Sequence, residues 1–254
     1  MNESLEHIVK SPFDMKPNFS QCERPVLNAD ETDEIIRSQR VLELHRLADN
    51  IWFETPVAKE DGLVCRATEA LGLSLRCNNI KDLGLAIEDD ILIMHNGKLE
   101  ACFVAFASSW NPSKKVGKTL PELHEPIADN ETLLRASNAI MKAMCSGQSF
   151  ERYTWGISSL GGYSNHPLYE KPNFNSLDDL TFRIEHERTI TISEGTTAAF
   201  LIHVDIYPFK DILQTDGKLI KESIDSMSDA VLKYKNLVKI KGMINENSNN
   251  FWLF

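Results

Sequence analysis

Hydrophobic residues along this chain recur first at helical spacing, then at alternate positions, then at helical spacing again. Val41, Leu44, Ala48 and Ile51 form a stripe, and Asn28 followed three residues later by Glu31 supplies a start, so the pattern predicts a helix over about 29–51. Leu63, Ala67 and Ala70 predict a second over Lys59–Leu71, closed by Gly72. From Leu85 the period becomes two. Residues 85–95 (LAIEDDILIMH) and 98–107 (KLEACFVAFA) flank Asn96-Gly97, a pair whose positive φ angles suit a tight hairpin. The second run is apolar on both faces, which predicts a central strand in a covered sheet. An irregular stretch, Ser108–Asn130, precedes a helix that runs to Met144 and stops at Gly147. Strands are expected over Glu151–Ser158, Leu180–Ile192 and Thr197–Ile206. In the middle one Phe182, Ile184, Ile190 and Ile192 alternate with Arg183, Glu185, Thr189 and Thr191, giving one apolar and one polar face. Pro208 ends the last strand, and Ile220, Ile224, Met227, Val231 and Tyr234 stripe a final helix over Leu219–Leu237. Residues 1–27 read as a mobile leader and 245–254 as a polar tail whose apolar tip, FWLF, docks on its own core or on a partner. Strands joined without regular βαβ alternation predict an α+β fold with a mainly antiparallel sheet, and the continuity of the pattern predicts a single domain over 1–254.

Composition narrows the function classes. The 254 residues are 42% hydrophobic, without the run of about 18 apolar positions that a bilayer span requires. The polar start MNESLEHIVK lacks the basic and apolar regions of a secretory signal. Twenty-seven Lys+Arg against 37 Asp+Glu give a net charge of −10, with no basic block to neutralise phosphates, so neither membrane nor nucleic acid is an expected partner. Cys22, Cys65, Cys77, Cys102 and Cys145 are odd in number and scattered, without a Cys-x-x-Cys pair; they read as reduced thiols of a cytoplasmic protein. Nothing suggests an iron–sulfur site, a dinucleotide fingerprint or a phosphate loop. Any redox chemistry must therefore draw electrons from another polypeptide.

Seven histidines are available for acid–base or ligand chemistry: His7, His45, His95, His124, His166, His186 and His203. His124 stands apart because it closes the long irregular stretch, SSWNPSKKVGKTLPELHEPIADN, and loops of that length in compact domains are usually functional. This stretch resembles the haem-dependent oxidative N-demethylase family, the haem subunit of dimethylamine monooxygenase-type systems. Members carry a Trp, then Lys-x-Gly-x-x-Leu, then Ile-His-x-Pro-Val-Pro, matched here by Trp110, Lys115, Gly117, Leu120, Leu123, His124, Pro126 and Ile127. In order with it, AIEDDILIM resembles the family's Gln-Glu-Asp run (Glu88, Asp89), RYTW its Arg-x-Asn-Trp (Arg152, Trp155) and FRIEHERTI its Leu-Arg-x-Glu-Arg-Gln strand (Arg183, Glu185). The chain departs from the family at Thr154, Glu187 and Ala128.

The resemblance implies a PAS-like central antiparallel sheet flanked by helices, holding haem b (heme b) and its iron. It further implies a monooxygenase that uses O2 to oxidise the methyl group of a small amine or related nitrogen compound, releasing formaldehyde, with electrons from a separate flavin/iron–sulfur reductase chain. Haem iron needs an axial imidazole or thiolate. His124 is the candidate, with His166 and His186 as alternates, while Cys102 and Cys145 sit in apolar patterns that suit buried thiols. Arginine's planar fork matches propionates, so Arg152 and Arg183 are candidate anchors, with Lys115 as a third and Trp155 packing on the opposite side of its strand from Arg152. A buried arginine–carboxylate pair is the other reading of Arg183 and Glu185. A cationic amine would be met by Glu185 or Glu187. The alternative is a non-catalytic PAS-like sensor or binding subunit for haem or another small ligand, or a subunit without cofactor. The oligomeric state is open, a homodimer among the options.

Overall fold

The computed structural model describes residues 4–25, 27 and 33–251. Seven strands form one sheet: β1 (Ser20–Cys22), β2 (Trp52–Glu54), β3 (Asp90–His95), β4 (Lys98–Phe103), β5 (Ser149–Ser158), β6 (Thr181–Ser193) and β7 (Thr197–Pro208). They lie in the order β1-β5-β6-β7-β3-β4-β2, and every neighbouring pair is antiparallel. Ten helices accompany them among the described residues: α1 (Leu5–Ile8), α2 (Glu34–Leu47), α3 (Pro56–Glu60), α4 (Leu63–Ala70), α5 (Ile80–Ala86), α6 (Leu120–His124), α7 (Glu131–Met144), α8 (Phe209–Asp225), α9 (Asp229–Tyr234) and α10 (Val238–Phe251). The fold is α+β, with a central antiparallel sheet flanked by helices.

Strand alternation sends apolar side chains to both faces. On one face, α4 and α5 cover the β3–β4 half through Leu63, Ile80, Leu83, Ile91, Ile93 and Phe103. On the same face α1 and α8–α10 cover the β5–β6 half through Trp155, Phe182, Ile184, Phe209 and Ile220. The opposite face carries Leu92, Met94, Cys102 and Ala198, closed by Leu120 of α6 and Met144 of α7. The expected hairpin is present: Asn96 (φ +48°) and Gly97 (φ +80°) turn β3 into β4, and the Asn96 N–H donates to the Thr196 carbonyl at 2.9 Å, fixing this tip to that of the β6–β7 hairpin.

Several boundaries differ from the pattern, each for a local reason. Helix α2 begins at Glu34, where the Asp33 carboxylate accepts from the Ile35 N–H at 2.7 Å; Asn28 and Glu31, the expected start, lie outside the described residues. The expected stripe is only half inside: Leu44 packs against the core and Ile51, just beyond the helix, is buried, but Val41 and Ala48 are exposed, and the buried residues of the helix are Arg40, Glu43 and Leu47. Gly62, at φ +59°, splits the expected 59–71 helix into α3 and α4. Residues 85–89 are not strand: Asn79 caps α5, which buries Ile80, Leu83 and Ala86 at helical spacing. The expected 219–237 helix is two, α8 and α9, with Ser228 capping the second. Strand β4 sits one position from the sheet edge rather than at its centre, yet is covered because the three-residue β2 lies outside it. The leader is not a loose tether either: Leu5, Ile8 and Val9 are buried in the core, and β1 pairs with β5. The expected docking of FWLF falls on side chains outside the described residues. Among the described residues no helix is long and apolar enough to cross a membrane.

A buried arginine ties the first half together. Arg40, 0% exposed, donates at 2.9 Å each to the Gly84, Glu88 and Asp89 carbonyls and to Asp90 Oδ1. Asp90 in turn accepts from the N–H groups of Ala105 (2.8 Å) and Phe106 (2.9 Å). This holds the chain where it leaves β4 and enters the segment that begins at Ser108.

Candidate functional site

A cavity of about 640 Å³ opens between the α6/α7 face of the sheet, the 108–127 segment and the leader. Its volume lies within the range of cofactor sites, roughly 300–1,000 Å³. The apolar part of its wall comes from Leu92, Met94, Phe200 and Ile202 on the strands and from Leu120, Ile140 and Met144 on the helices. Strand register supplies the polar part. Arg183, Glu185 and Glu187 alternate onto this face of β6, and the pairings Arg152↔Glu187 and Thr154↔Glu185 set Arg152 and Thr154 beside them on β5.

The seven residues given site roles on the resemblance, His124, Arg152, Trp155, Arg183, Lys115, Glu185 and Glu187, line this one cavity, whereas Glu88 and Asp89 of the matched Gln-Glu-Asp run do not. The segment containing His124 is less irregular than its pattern suggests. Thr119 and Glu122 form a capping box that starts α6, with the Thr119 N–H donating to Glu122 Oε2 at 2.7 Å. One turn on, His124 Nδ1–H donates to the Leu120 carbonyl at 2.8 Å, which fixes the tautomer and leaves Nε2 as the lone-pair nitrogen. Burial, reinforced by the nearby Arg152 and Lys115 charges, pushes the imidazole below its ordinary pKa despite that hydrogen bond, so the ring is neutral. Lys115 Nζ holds the Leu123 carbonyl at 3.1 Å, and burial, then Lys118, lowers its pKa.

The two alternate histidines are elsewhere. His166 is fully buried off the cavity, its Nδ1 accepting from the Leu168 N–H at 3.2 Å. His186 projects to the opposite sheet face, stacks on Tyr153 at 4.3 Å and bonds Glu151 Oε2 at 2.7 Å. Cys102 and Cys145 are buried outside the cavity; burial raises both thiols, Cys102 far above its ordinary value, so neither is a ready thiolate. Among the described residues no three His, Cys, Asp or Glu side chains are gathered as a metal site, and His124 is the histidine on the cavity wall.

Each carboxylate of the sheet wall has an arginine. Arg183, 2% exposed, donates from Nε to Glu185 Oε1 at 2.9 Å and spends its other two nitrogens on the carbonyls of Tyr163 and Phe106. Its fork is therefore occupied by protein, as in the second reading of this pair. Burial pushes the Glu185 carboxyl up, but Arg183 and then Ser108 and Lys235 outweigh it and hold the group ionised below its ordinary value. Arg152 pairs with Glu187 through Nε, reaches the Pro17 carbonyl at 3.4 Å through a terminal nitrogen and lies 4.9 Å from the Phe19 ring centroid. Burial raises Glu187 in spite of Arg152. Trp155 stacks on Phe182 at 5.5 Å.

Two contributors were not foreseen. The leader supplies Phe13, Asp14 and Phe19 to the wall. Lys235, following α9, donates to the Trp155 carbonyl at 2.7 Å and lies over the Phe13 and Trp155 rings, 5.6 and 5.4 Å from their centroids. Burial drives its pKa down to about 8, against the raising effect of Glu185. No short-range motif marks either, because each reaches the cavity only through tertiary packing.

In comparisons with known proteins, the family model described as haem-dependent oxidative N-demethylase, alpha subunit-like, matches residues 53–244. No curated protein matches the chain.

Proposed function

Because the chain belongs to the haem-dependent oxidative N-demethylase, alpha subunit-like family, we propose that it is a haem-binding oxidoreductase that removes a methyl group from a small amine, using O2 and electrons delivered by a separate reductase. The observation that carries this reading is His124: a neutral imidazole on the wall of a cavity of about 640 Å³, with Nδ1 tied to Leu120 and Nε2 left as donor. Metal-binding histidines commonly have the other ring N–H tied to a carbonyl in this way. The cavity also fits the group in kind, since an apolar wall on the sheet and helices suits a porphyrin and flanking cations suit its propionates.

In this reading His124 would hold the haem iron through Nε2. Arg152 and Lys115, the two cations that act electrostatically on His124, hold the propionates, with Arg152 keeping its Glu187 contact through Nε. Arg183 acts as a positioning residue that keeps Glu185 ionised. Haem bound here supplies O2 activation and oxidation of the methyl C–H bond. The residues around it orient and desolvate the substrate: ionised Glu185 accepts a hydrogen bond from the amine, and Glu187, raised by burial, can hold a proton. Phe200 and Ile202, on the same sheet face as Glu185 and Glu187, exclude water from the reacting carbon.

The test is spectroscopic first. Protein expressed with haem precursor should show a Soret band and about one haem per chain, lost in His124→Ala and retained in His166→Ala and His186→Ala. With a reductase and NAD(P)H it should consume O2 and release formaldehyde from methylamines. Absence of a Soret band in the parent protein refutes the reading.

A further inference from the structure

Resting on the N-demethylation reading above, we propose that the Lys235 end of the cavity receives a carboxylate carried by the substrate, so that the amine taken is an N-methylated amino acid rather than a simple alkylamine. The first ground is charge. In a chain of net charge −10, the cavity wall is inverted. Its three acids are each matched by a cation, Asp14 by Lys16 at 3.5 Å, Glu185 by Arg183 and Glu187 by Arg152. Lys10, Lys115, Lys171 and Lys235 remain on the wall with no carboxylate among the described residues within 4.0 Å. Lys10 and Lys171 are exposed at the mouth, whereas Lys115 and Lys235 are half-buried.

Those two inner lysines are held at different places: Lys115 donates to the Leu123 carbonyl beside His124 at 3.1 Å, while Lys235 donates to the Trp155 carbonyl on β5 at 2.7 Å. The first place is the one assigned to the propionates. At the second, the Lys235 ammonium has among the described residues one hydrogen-bond partner, the neutral Trp155 carbonyl, and is otherwise bounded by the Phe13 and Trp155 rings, so it has given up hydration without a described counter-ion within 4.0 Å. An ammonium has three donors, and a carboxylate would take those that Trp155 leaves.

Glu185 fixes the rest of the ligand. It is ionised and electrostatically coupled to Lys235, yet the two are not within 4.0 Å of each other. A zwitterion placed between them gives Lys235 the counter-ion it lacks through its carboxylate and turns its secondary ammonium toward Glu185, whose charge Arg183 already meets from its own side. Dimethylamine satisfies only Glu185 and leaves Lys235 unpaired. N-methylglycine is the smallest compound that satisfies both.

Calorimetric titration of the haem-loaded protein with N-methylglycine and with dimethylamine tests this without turnover. N-methylglycine is expected to bind on the order of 10-fold more tightly or better. Lys235→Met should abolish that preference while leaving dimethylamine affinity within about twofold, Lys235→Arg should restore most of it, and Lys10→Met, the same loss of charge at the mouth, should leave it intact. Equal affinity for the two compounds in the parent protein, an unchanged preference in Lys235→Met, or equal loss in Lys10→Met overturns the assignment. A normal Soret band accompanied by any of these results refutes the Lys235 inference alone; a parent protein without haem refutes the reading beneath it as well.

Discussion

Replacing Arg40 by methionine removes the cation around which α2, α5 and the start of β3 are built, while keeping most of the side-chain volume. The guanidinium is fully buried and makes four hydrogen bonds of 2.9 Å, three to carbonyls and one to Asp90. Breaking a buried ion pair from one side costs about 3–5 kcal/mol, because the remaining charge and acceptors stay in a medium that cannot solvate them. Asp90 keeps its two backbone donors, Ala105 and Phe106, which argues for the lower half of that range. For a chain of this size each kcal/mol lowers Tm by roughly 2–4 °C, so a drop on the order of 10 °C is expected. Urea unfolding followed by tryptophan fluorescence and a thermal melt would measure it. The deficit also depends on pH. Burial already raises the Asp90 carboxyl in the parent protein, and losing Arg40 raises it further. A group whose folded pKa is raised stabilises below its unfolded value, and that contribution fades as pH rises through the folded value. The gap between variant and parent should therefore be wider at pH 8 than at pH 5. A loss below about 1 kcal/mol, or a gap that narrows with rising pH, would show that the network is not the tie described.

Two further outcomes follow from the same half of the molecule. The His203 imidazole is raised by its 3.0 Å hydrogen bond to Asp89, while Asp89, pushed up by burial, is held below its ordinary value by His203 and Arg188. The histidine's share of stability is complete below about 6.5 and lost as pH rises through its folded pKa; the aspartate's is present above about 3.8 and lost as pH falls through its own. His203→Gln should thus cost on the order of 1 kcal/mol near pH 5.5 and much less near pH 8.5, read by denaturant titration at both. At Gly84 an added Cβ would stand 2.1 Å from Phe103 Cγ, against the ring that lies under Arg40. Gly84→Ala should destabilise by about 1–3 kcal/mol or more despite alanine's better helix propensity, and an unchanged melting temperature would contradict the packing.

The sheet's long strands were legible because their alternation is uninterrupted: β5, β6 and β7 differ from the expected spans by no more than two residues at either end. The pattern misled where polar groups are inside. In α2 the buried residues are Arg40, Glu43 and Leu47, so a search for apolar periodicity picks the side carrying exposed Val41. Strands β1 and β2, three residues each, are too short to show a period, and α5 was hidden because its end, Leu85-Ala86, was absorbed into the strand expected over 85–95. At the site, the resemblance named residues that register and burial bring to one cavity, but it could not separate an arginine whose fork is occupied, Arg183, from one with reach to spare, Arg152. Lys235 carries no signal in sequence, since only the packing of Phe13 and Trp155 around it distinguishes it from a solvated lysine.

The two outermost strands carry one more implication. A rim of unpaired peptide groups is a template on which another chain can polymerise, and the usual defence is to make it too short to be copied. Here both rims end in strands of three residues, Ser20–Cys22 and Trp52–Glu54. Beyond the first of them the Trp155 carbonyl is already capped by an ammonium. The protein thereby discourages fibre-like growth by addition of strands.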